Sequence, residues 1–294
     1  MGLTEIEGTA GTTDILLINL NKSVDRLRLQ ERQFRRIGMT FRRLEAVDGA
    51  LLPDDEFRKH AYLWERPLSR SEVGCLLSHQ ACWQQVIRSG VNTLILEDDV
   101  VLAPEIAAFL RHAAAIKGAV AINLEARRDL RHLSTEPVTL EGLGDCRIFE
   151  MLIGTSGSGA YFLTPDAATR LVADIGRRGP IADIYIWNAR GVSRLQADPG
   201  FAAPMDKMRG IFGHHLPRLG ATTITRDMSL ARKLSNPRLL VRRAIGQLRL
   251  AGAKWKSFRH AERRRVSPLP SIHASYQAIV DDSLNEHVPE PQGE

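Results

Sequence analysis

The first strong pattern in the chain is Asp14-Ile-Leu-Leu-Ile-Asn-Leu20, an apolar run of the length of a strand buried on both faces. Ser23 is placed to cap a helix over 24–37, and Gly38 to end it. Phe41 to Val47 predicts a second strand, closing at the Asp48-Gly49 turn pair. Residues 50–68 read as a loop with one helical turn. Ser69-Arg-Ser-Glu72 is a capping-box pattern, and Val73, Leu76, Leu77, Trp83 and Ile87 recur behind it at helical spacing. This predicts a long helix to Ser89, stopped by Gly90. Thr93 to Leu96 predicts a strand running straight into Glu97-Asp98-Asp99, and Pro104 stands near the start of a helix to Lys117. Further strands are expected at 120–124, 147–153, 160–163 and 193–197, with helices from Thr164-Pro165 to Gly176 and over 181–188. Strands alternating with helices predict a layered α/β domain with a mainly parallel sheet. Ligands of such sheets bind at the carboxyl ends of strands, the end that carries Asn19, Asp48 and Glu97 to Asp99.

Beyond residue 225 the pattern changes. Leu234, Val241, Ile245, Leu248, Trp255 and Phe258 follow steps of three, four or seven and fall on one helical stripe. Arg238, Arg242, Arg243, Arg249, Lys254, Lys256 and Arg259 lie mainly off it. The net charge of +6 is unevenly placed: residues 226–265 hold 13 Lys/Arg against 2 Asp/Glu, and 266–294 hold 5 Asp/Glu and no Lys/Arg. Residues 1–225 carry 27 of each sign. The expected organisation is a disordered N-terminus (1–13), a globular body (14–222), a basic amphipathic helical segment (223–265) and an acidic disordered tail (266–294). A basic amphipathic helix with Trp and Phe suits the surface of an anionic membrane. The alternative is a helix packed on the body with a solvated basic face. The neutral body, lacking a stacking-aromatic motif, argues against nucleic acid as a partner.

Composition narrows the class. Of 294 residues, 44% are hydrophobic and 25% charged, an ordinary globular balance that excludes wholesale disorder. No window approaches the roughly 18 unbroken apolar residues of a membrane span. The opening MGLTEIEGTAGTT has neither a basic start nor an apolar run, so no secretory signal is read, and Ile6 stands where a myristoylation site needs Ser or Thr. Cys75, Cys82 and Cys146 lack zinc-type spacing and read as packing residues in a reducing compartment. A cytoplasmic location is expected, peripheral to the inner face of the membrane if the basic helix binds lipid.

The chemistry concentrates in LILEDDV. Three consecutive carboxylates repel one another and are costly to bury without a cation. On an extended chain Glu97 and Asp99 share one face, and two hard oxygen ligands at a strand end suit Mg²⁺ or Mn²⁺. The alternative is a set of carboxylates that cap the next helix or pair with arginines. Arg26 could hold a phosphate with its planar fork or be a surface arginine. Ser78 and His79 are adjacent on a helix and cannot face each other as a dyad. His79 alone reads as a satisfied half-buried histidine. His214-His215 is a weak metal candidate, and Asp183 either caps a short helix or serves the chemistry. The glycine-rich loop 154–159 is neither a Walker nor a Rossmann fingerprint, yet its backbone could approach a ligand.

These pieces resemble glycosyltransferase family 25, the lipooligosaccharide and collagen sugar transferases. The resemblance rests on ILLINLNKSVDR at 15–26, FRRLEAVDG at 41–49, SEVGCLLSHQACWQQVI at 71–87, LILEDDVVL at 94–102 and GTSGSGAYFLTPDAATRL at 154–171. It implies a single nucleotide-sugar-transferase A-type (Rossmann-like) domain and inverting transfer of a hexose, often galactose from UDP-galactose. The acceptor would be a lipopolysaccharide, a lipooligosaccharide or another surface saccharide. Carried onto this chain, Glu97, Asp98 and Asp99 become the motif for Mn²⁺ or Mg²⁺ and diphosphate. Asn19, Arg26, Asp48, Ser78, His79 and Gly154 become nucleotide-sugar-binding positions. Asp183 becomes the base that deprotonates the acceptor hydroxyl, in a Pro-Ile-Ala-Asp element one residue longer than the family's Pro-x-Asp. A Mg²⁺ enzyme of phosphoryl chemistry and a non-catalytic saccharide- or membrane-binding scaffold are the competing readings.

Overall fold

The computed structural model describes residues 12–127, 129–138, 146–153, 156–175, 181–213, 237–257 and 260–285. The chain runs β1 (Asp14–Asn19), α1 (Val24–Arg36), β2 (Arg42–Glu45), α2 (Asp54–Ala61), α3 (Arg70–Ser89), β3 (Thr93–Glu97), β4 (Val100–Leu102) and α4 (Ile106–Ala113). It continues through β5 (Val120–Asn123), β6 (Leu130–Val138), β7 (Arg147–Met151), β8 (Ala160–Leu163), α5 (Pro165–Asp174), α6 (Ala182–Trp187), β9 (Ser193–Asp198) and β10 (Ala202–Pro204). The last elements are α7 (Met208–Phe212), α8 (Pro237–Ser257), β11 (Ala261–Arg265) and α9 (Ser271–Asn285).

Nine strands form one sheet in the order β11-β6-β7-β9-β5-β8-β3-β1-β2. β1 pairs in parallel with β2 and β3, and β5 in parallel with β9. The other pairings are antiparallel, so the sheet is mixed, and its parallel part is the part that positions the site. β8 lies antiparallel between β3 and β5, so β1, β3 and β5 all point the same way. Their carboxyl ends bring Asn19, Glu97 and Asn123 to one edge.

Side chains alternate across the strands, and each face finds its own helices. Leu16, Ile18, Ile95, Tyr161 and Leu163 face a core built with Leu76, Trp83 and Val86 of α3 and Leu171 of α5. Ile15, Leu17, Leu94, Leu96 and Phe162 face the opposite core, with Phe34 of α1 and Phe109 of α4. The result is a three-layer α/β/α body. The capping box of α3 forms as expected: Ser69 accepts from the Glu72 backbone, and Glu72 reaches back to the Ser69 backbone. Gly90 closes the helix at φ +66°.

Several elements depart from the sequence expectations. The 50–68 stretch holds a two-turn helix, α2. β6 occupies Leu130-Arg-His-Leu-Ser-Thr-Glu-Pro-Val138, a polar stretch whose inward positions Arg131 and Leu133 are both buried. The basic segment contains a helix, α8, but also β11, which pairs with β6 as the sheet's edge. The tail expected to be disordered holds α9 instead. Ile272, Tyr276, Ile279 and Val280 recur at helical spacing and pack against Val101, Met205 and Met208, which covers the β4–β10 ribbon. Residues 1–11, 223–236 and 286–294 lie outside the described residues.

Candidate active site

β1, β3 and β5 end at a cleft of about 790 Å³. Its lining includes Lys22, Arg26, Asp48, Ser78, His79, Glu97, Asp98, Asp99, Glu125, Arg127 and Asp183. Eight of the expected site residues line this one cavity. Asn19 is buried behind its wall, and Gly154 and His214-His215 lie outside the described residues.

The three carboxylates of Glu97-Asp98-Asp99 have different environments. Asp98 is bracketed: Oδ1 accepts from Arg26 Nη1 at 2.9 Å and Oδ2 from Asn19 Nδ2 at 2.7 Å. Asn19 and Arg26 therefore each give a donor to the acidic turn, and Asn19 Nδ2 also donates to Ser23 O at 3.0 Å. Glu97 receives His79 Nε2 at 3.3 Å and Ser158 Oγ at 2.7 Å, both on Oε1. Burial alone would raise its pKa; the bonds from His79 and Ser158 outweigh burial and hold it below the ordinary value. Glu97 Oε2 and both oxygens of Asp99 accept no hydrogen bond among the described residues. Arg26 reaches Asp99 only at 3.8 Å. Burial, then the negative charge of Glu97, pushes the Asp99 carboxyl up to about 7.

Ser78 acts on the backbone. Its Oγ donates to Gly74 O at 2.7 Å and accepts from Val47 N at 2.8 Å, which ties α3 to the segment before Asp48. That contact needs glycine at 74, where a Cβ would stand 2.6 Å from Val47 O. Asp48 Oδ2 takes Lys22 Nζ at 2.6 Å and Oδ1 takes Ala50 N at 3.0 Å. These bonds hold its pKa below the ordinary carboxylate value.

The glycine loop joins the carboxylates of the cleft. Ser158 donates to Glu97, Gly159 N to Glu125 Oε2 at 3.1 Å, and Gly157 N to Asp183 Oδ2 at 3.3 Å. Trp187 Nε1 anchors the loop through Gly157 O at 2.7 Å. Gly157 adopts φ +113°, and a Cβ there would meet Glu125 Oε2 at 2.6 Å. Asp183 sits in the first turn of α6, where Ile184 N donates to Oδ1 at 2.7 Å. Burial still raises its carboxyl above the usual value, which makes it a stronger base. Glu125 and Arg127 were not anticipated. Both follow the carboxyl end of β5, the same kind of position that had pointed to Glu97 after β3, across the intervening antiparallel β8.

The carboxylate oxygens without hydrogen bonds among the described residues, Glu97 Oε2 and those of Asp99, fit a hard divalent cation. Glu97 and Asp99 would hold it, while Asp98 shapes the turn between them. Cys75 Sγ, a ring nitrogen of His79 and a Glu97 oxygen also lie within 4.8 Å of one another.

Known proteins similar to this chain include sugar transferases. It is 30% identical over 104 residues to a glycosyltransferase 25 family member of Aedes aegypti, covering 32% of this chain and 17% of that protein. It is 35% identical over 101 residues to procollagen galactosyltransferase 2 of Homo sapiens, covering 31% of this chain and 16% of that protein. The chain thus spans less than a fifth of the length of these relatives in the matched region. A solved glycosyltransferase involved in the glycosylation of the major capsid of PBCV-1 aligns with a TM-score of 0.36 at 13% identity, covering 66% of this chain and 92% of that one. The chain belongs to glycosyltransferase family 25 (LPS biosynthesis protein), whose model matches residues 12–183.

Proposed function

We propose that this chain is a divalent-cation-dependent, inverting glycosyltransferase that moves a hexose, galactose first among the candidates, from a UDP-sugar to a surface saccharide such as a lipooligosaccharide. The observation that carries the reading is the pair of carboxylates, Glu97 Oε2 and Asp99, left without hydrogen bonds in the cleft among the described residues. Mn²⁺ or Mg²⁺ held there would offset the charge that develops on a departing diphosphate. Lys22, beside Asp48 at the rim, and Arg127, on the other side, supply fixed positive charge. Asp183 takes the proton of the acceptor hydroxyl at a carboxylate oxygen as that hydroxyl attacks the anomeric carbon. The loop 156–159 holds Asp183 and Glu97 through neighbouring residues and so fixes base and cation ligand relative to each other.

Titration calorimetry with UDP tests the donor half of the reading. Binding is expected with Mn²⁺, lost on EDTA addition and lost in Asp99→Asn. Cation-independent binding, or none with any nucleotide diphosphate, would sink it in favour of a scaffold; release of phosphate from simple esters would favour phosphoryl chemistry. Asp183→Asn should keep donor affinity and lower kcat at least about 100-fold, the scale of a lost general base.

The acceptor side has support in α8. Val241 is 59% exposed, Leu248 72% and Trp255 86%, whereas Leu239 is buried. An outward apolar stripe on a segment that carries 13 Lys/Arg against 2 Asp/Glu over 226–265 suits an anionic bilayer presenting a lipid-linked acceptor. No helix among the described residues is long and apolar enough to cross a membrane. Co-sedimentation with anionic vesicles, and release when Leu248 and Trp255 are both changed to Asp, are expected; equal pelleting of the double variant would refute the docking face.

A further inference from the structure

His79 has no lone role in acid–base chemistry on this geometry, yet it is fully buried and spans two elements. Its Nδ1 lies 3.0 Å from Tyr161 Oη, and its Nε2 lies 3.3 Å from Glu97 Oε1. Trp83 Nε1, which can only donate, reaches the same Tyr161 oxygen at 2.9 Å. Trp83, Tyr161 and His79 are each 0% exposed, so water does not complete their hydrogen bonds. The phenol accepts from Trp83, and its own proton has one acceptor among its hydrogen-bond partners, His79 Nδ1. A neutral imidazole that accepts at Nδ1 carries its proton at Nε2, the atom that faces Glu97. With the proton at Nδ1 instead, the Tyr161 hydroxyl proton would be buried without a partner, and an Nε2 lone pair would face a carboxylate oxygen. Both defects are costly.

We propose that His79 is a positioning residue: the buried relay Trp83–Tyr161–His79 fixes its Nε2–H tautomer, and that N–H, with Ser158, occupies Glu97 Oε1 so that Oε2 alone remains for a cation. The proposal rests on the reading of Glu97 as a cation ligand. It also decides between two arrangements of the same atoms. Cys75 Sγ, a ring nitrogen of His79 and Glu97 lie close enough to hold a thiophilic ion, but the nitrogen that faces Glu97 carries a proton and so cannot ligate a metal. The relay therefore reserves the Glu97 oxygen for a hard, oxygen-bound ion and closes the adjacent Cys/His position to a soft one.

The direct test is the ¹⁵N spectrum of the imidazole in the full-length wild-type chain, with the His79 ring assigned through its proximity to the Trp83 indole N–H. The Nε2–H tautomer is expected. The Nδ1–H tautomer would overturn the proposal whether or not the chain transfers sugar. Cobalt adds a second arm: no thiolate charge-transfer band is expected with Co²⁺, and a band abolished by Cys75→Ser would overturn it too. The consequence is read by Mn²⁺ affinity. His79→Ala should lower it about 10–100-fold, as loss of an outer hydrogen bond to a ligand does, and His79→Gln, which can still offer an N–H towards Glu97, should keep most of it. Equal loss in both variants, with each shown to be folded by its thermal transition, would reduce His79 to packing. Wild type that binds no Mn²⁺ would count against the cation reading of Glu97, while the tautomer would still decide the relay.

Discussion

Two acidic strand ends face the same cleft and are built on opposite terms. After β5, Glu125 is 0% exposed, and every oxygen has a partner: Arg127 Nε and Nη2 at 3.1 Å on Oε1, and Gly159 N at 3.1 Å on Oε2. After β3, Glu97 and Asp99 keep oxygens that no donor fills among the described residues, and burial, then repulsion from Glu97, raises the Asp99 carboxyl. The first arrangement is a charge neutralised for stability and for holding the glycine loop. The second is a charge left for a ligand to neutralise. Position at a strand end does not separate the two; partner count does.

Substitutions that remove the charge but keep the shape should split the two ends in opposite directions. Glu125→Gln leaves the half-buried Arg127 guanidinium, 23% exposed, without its counter-charge and should destabilise the protein by up to about 3–5 kcal/mol, the range for breaking a buried pair from one side. Asp99→Asn relieves repulsion and should leave the cation-free protein as stable or more so, by about 2–4 °C in Tm for each kcal/mol recovered. Thermal melts of the two variants in EDTA check the contrast. A comparable loss of Tm in both would erase the distinction. Asp98→Asn belongs between them. It keeps an acceptor for Asn19 but weakens the Arg26 pair, whose side chains are 14% and 10% exposed. A loss of about 1–3 kcal/mol is expected, as for a charged hydrogen bond, and Asp98→Asn should keep more cation affinity than Asp99→Asn. Loss of all Mn²⁺ binding in Asp98→Asn would make Asp98 a ligand after all.

The same contrast explains which parts of the molecule the sequence reveals. LILEDDV is legible because three adjacent carboxylates have no local partner in the sequence and so advertise an unmet charge. Glu125 and Arg127, two residues apart in Asn-Leu-Glu-Ala-Arg, look like an ordinary surface pair, and nothing local says that Glu125 is buried. α1 and α3 are both legible within a residue or two, but only α3 owes this to its caps: its capping box and Gly90 form, whereas Ser23 makes no side-chain cap bond to α1 and Ile37 stands at its end. β6 and β11 are not legible. Their inward positions include Arg131 and their outward ones are charged, so the alternation that marks a half-buried strand is blurred. α9 hides for another reason: its apolar face, Ile272 to Val280, is short and lies inside a segment whose charge suggests disorder. The roles of Ser78 and His79 depend on Val47, Tyr161 and Glu97, contacts that no spacing within α3 encodes.

The smallest expected effect is also the one that separates the two strand ends by proton linkage. Asp99 has its carboxyl raised from 3.8 to about 7, chiefly by burial and then by Glu97. Between these values the folded chain holds a proton that the unfolded chain has released, so the cation-free protein loses stability as pH rises through this window and loses no more above it. A cation must displace that proton, so its affinity should fall by up to about tenfold per pH unit below 7 and flatten above it. In Asp99→Asn the slope should disappear along with most of the affinity. In Glu125→Gln, where folded protein can be obtained, the slope should persist, because the titrating group remains. Mn²⁺ titrations at pH 6, 7 and 8 measure all three. A slope carried by Glu125→Gln but absent from wild type, or an affinity that rises as the medium is acidified, would place the proton somewhere other than the end of β3. The division between a neutralised strand end and an open one would then have to be drawn differently.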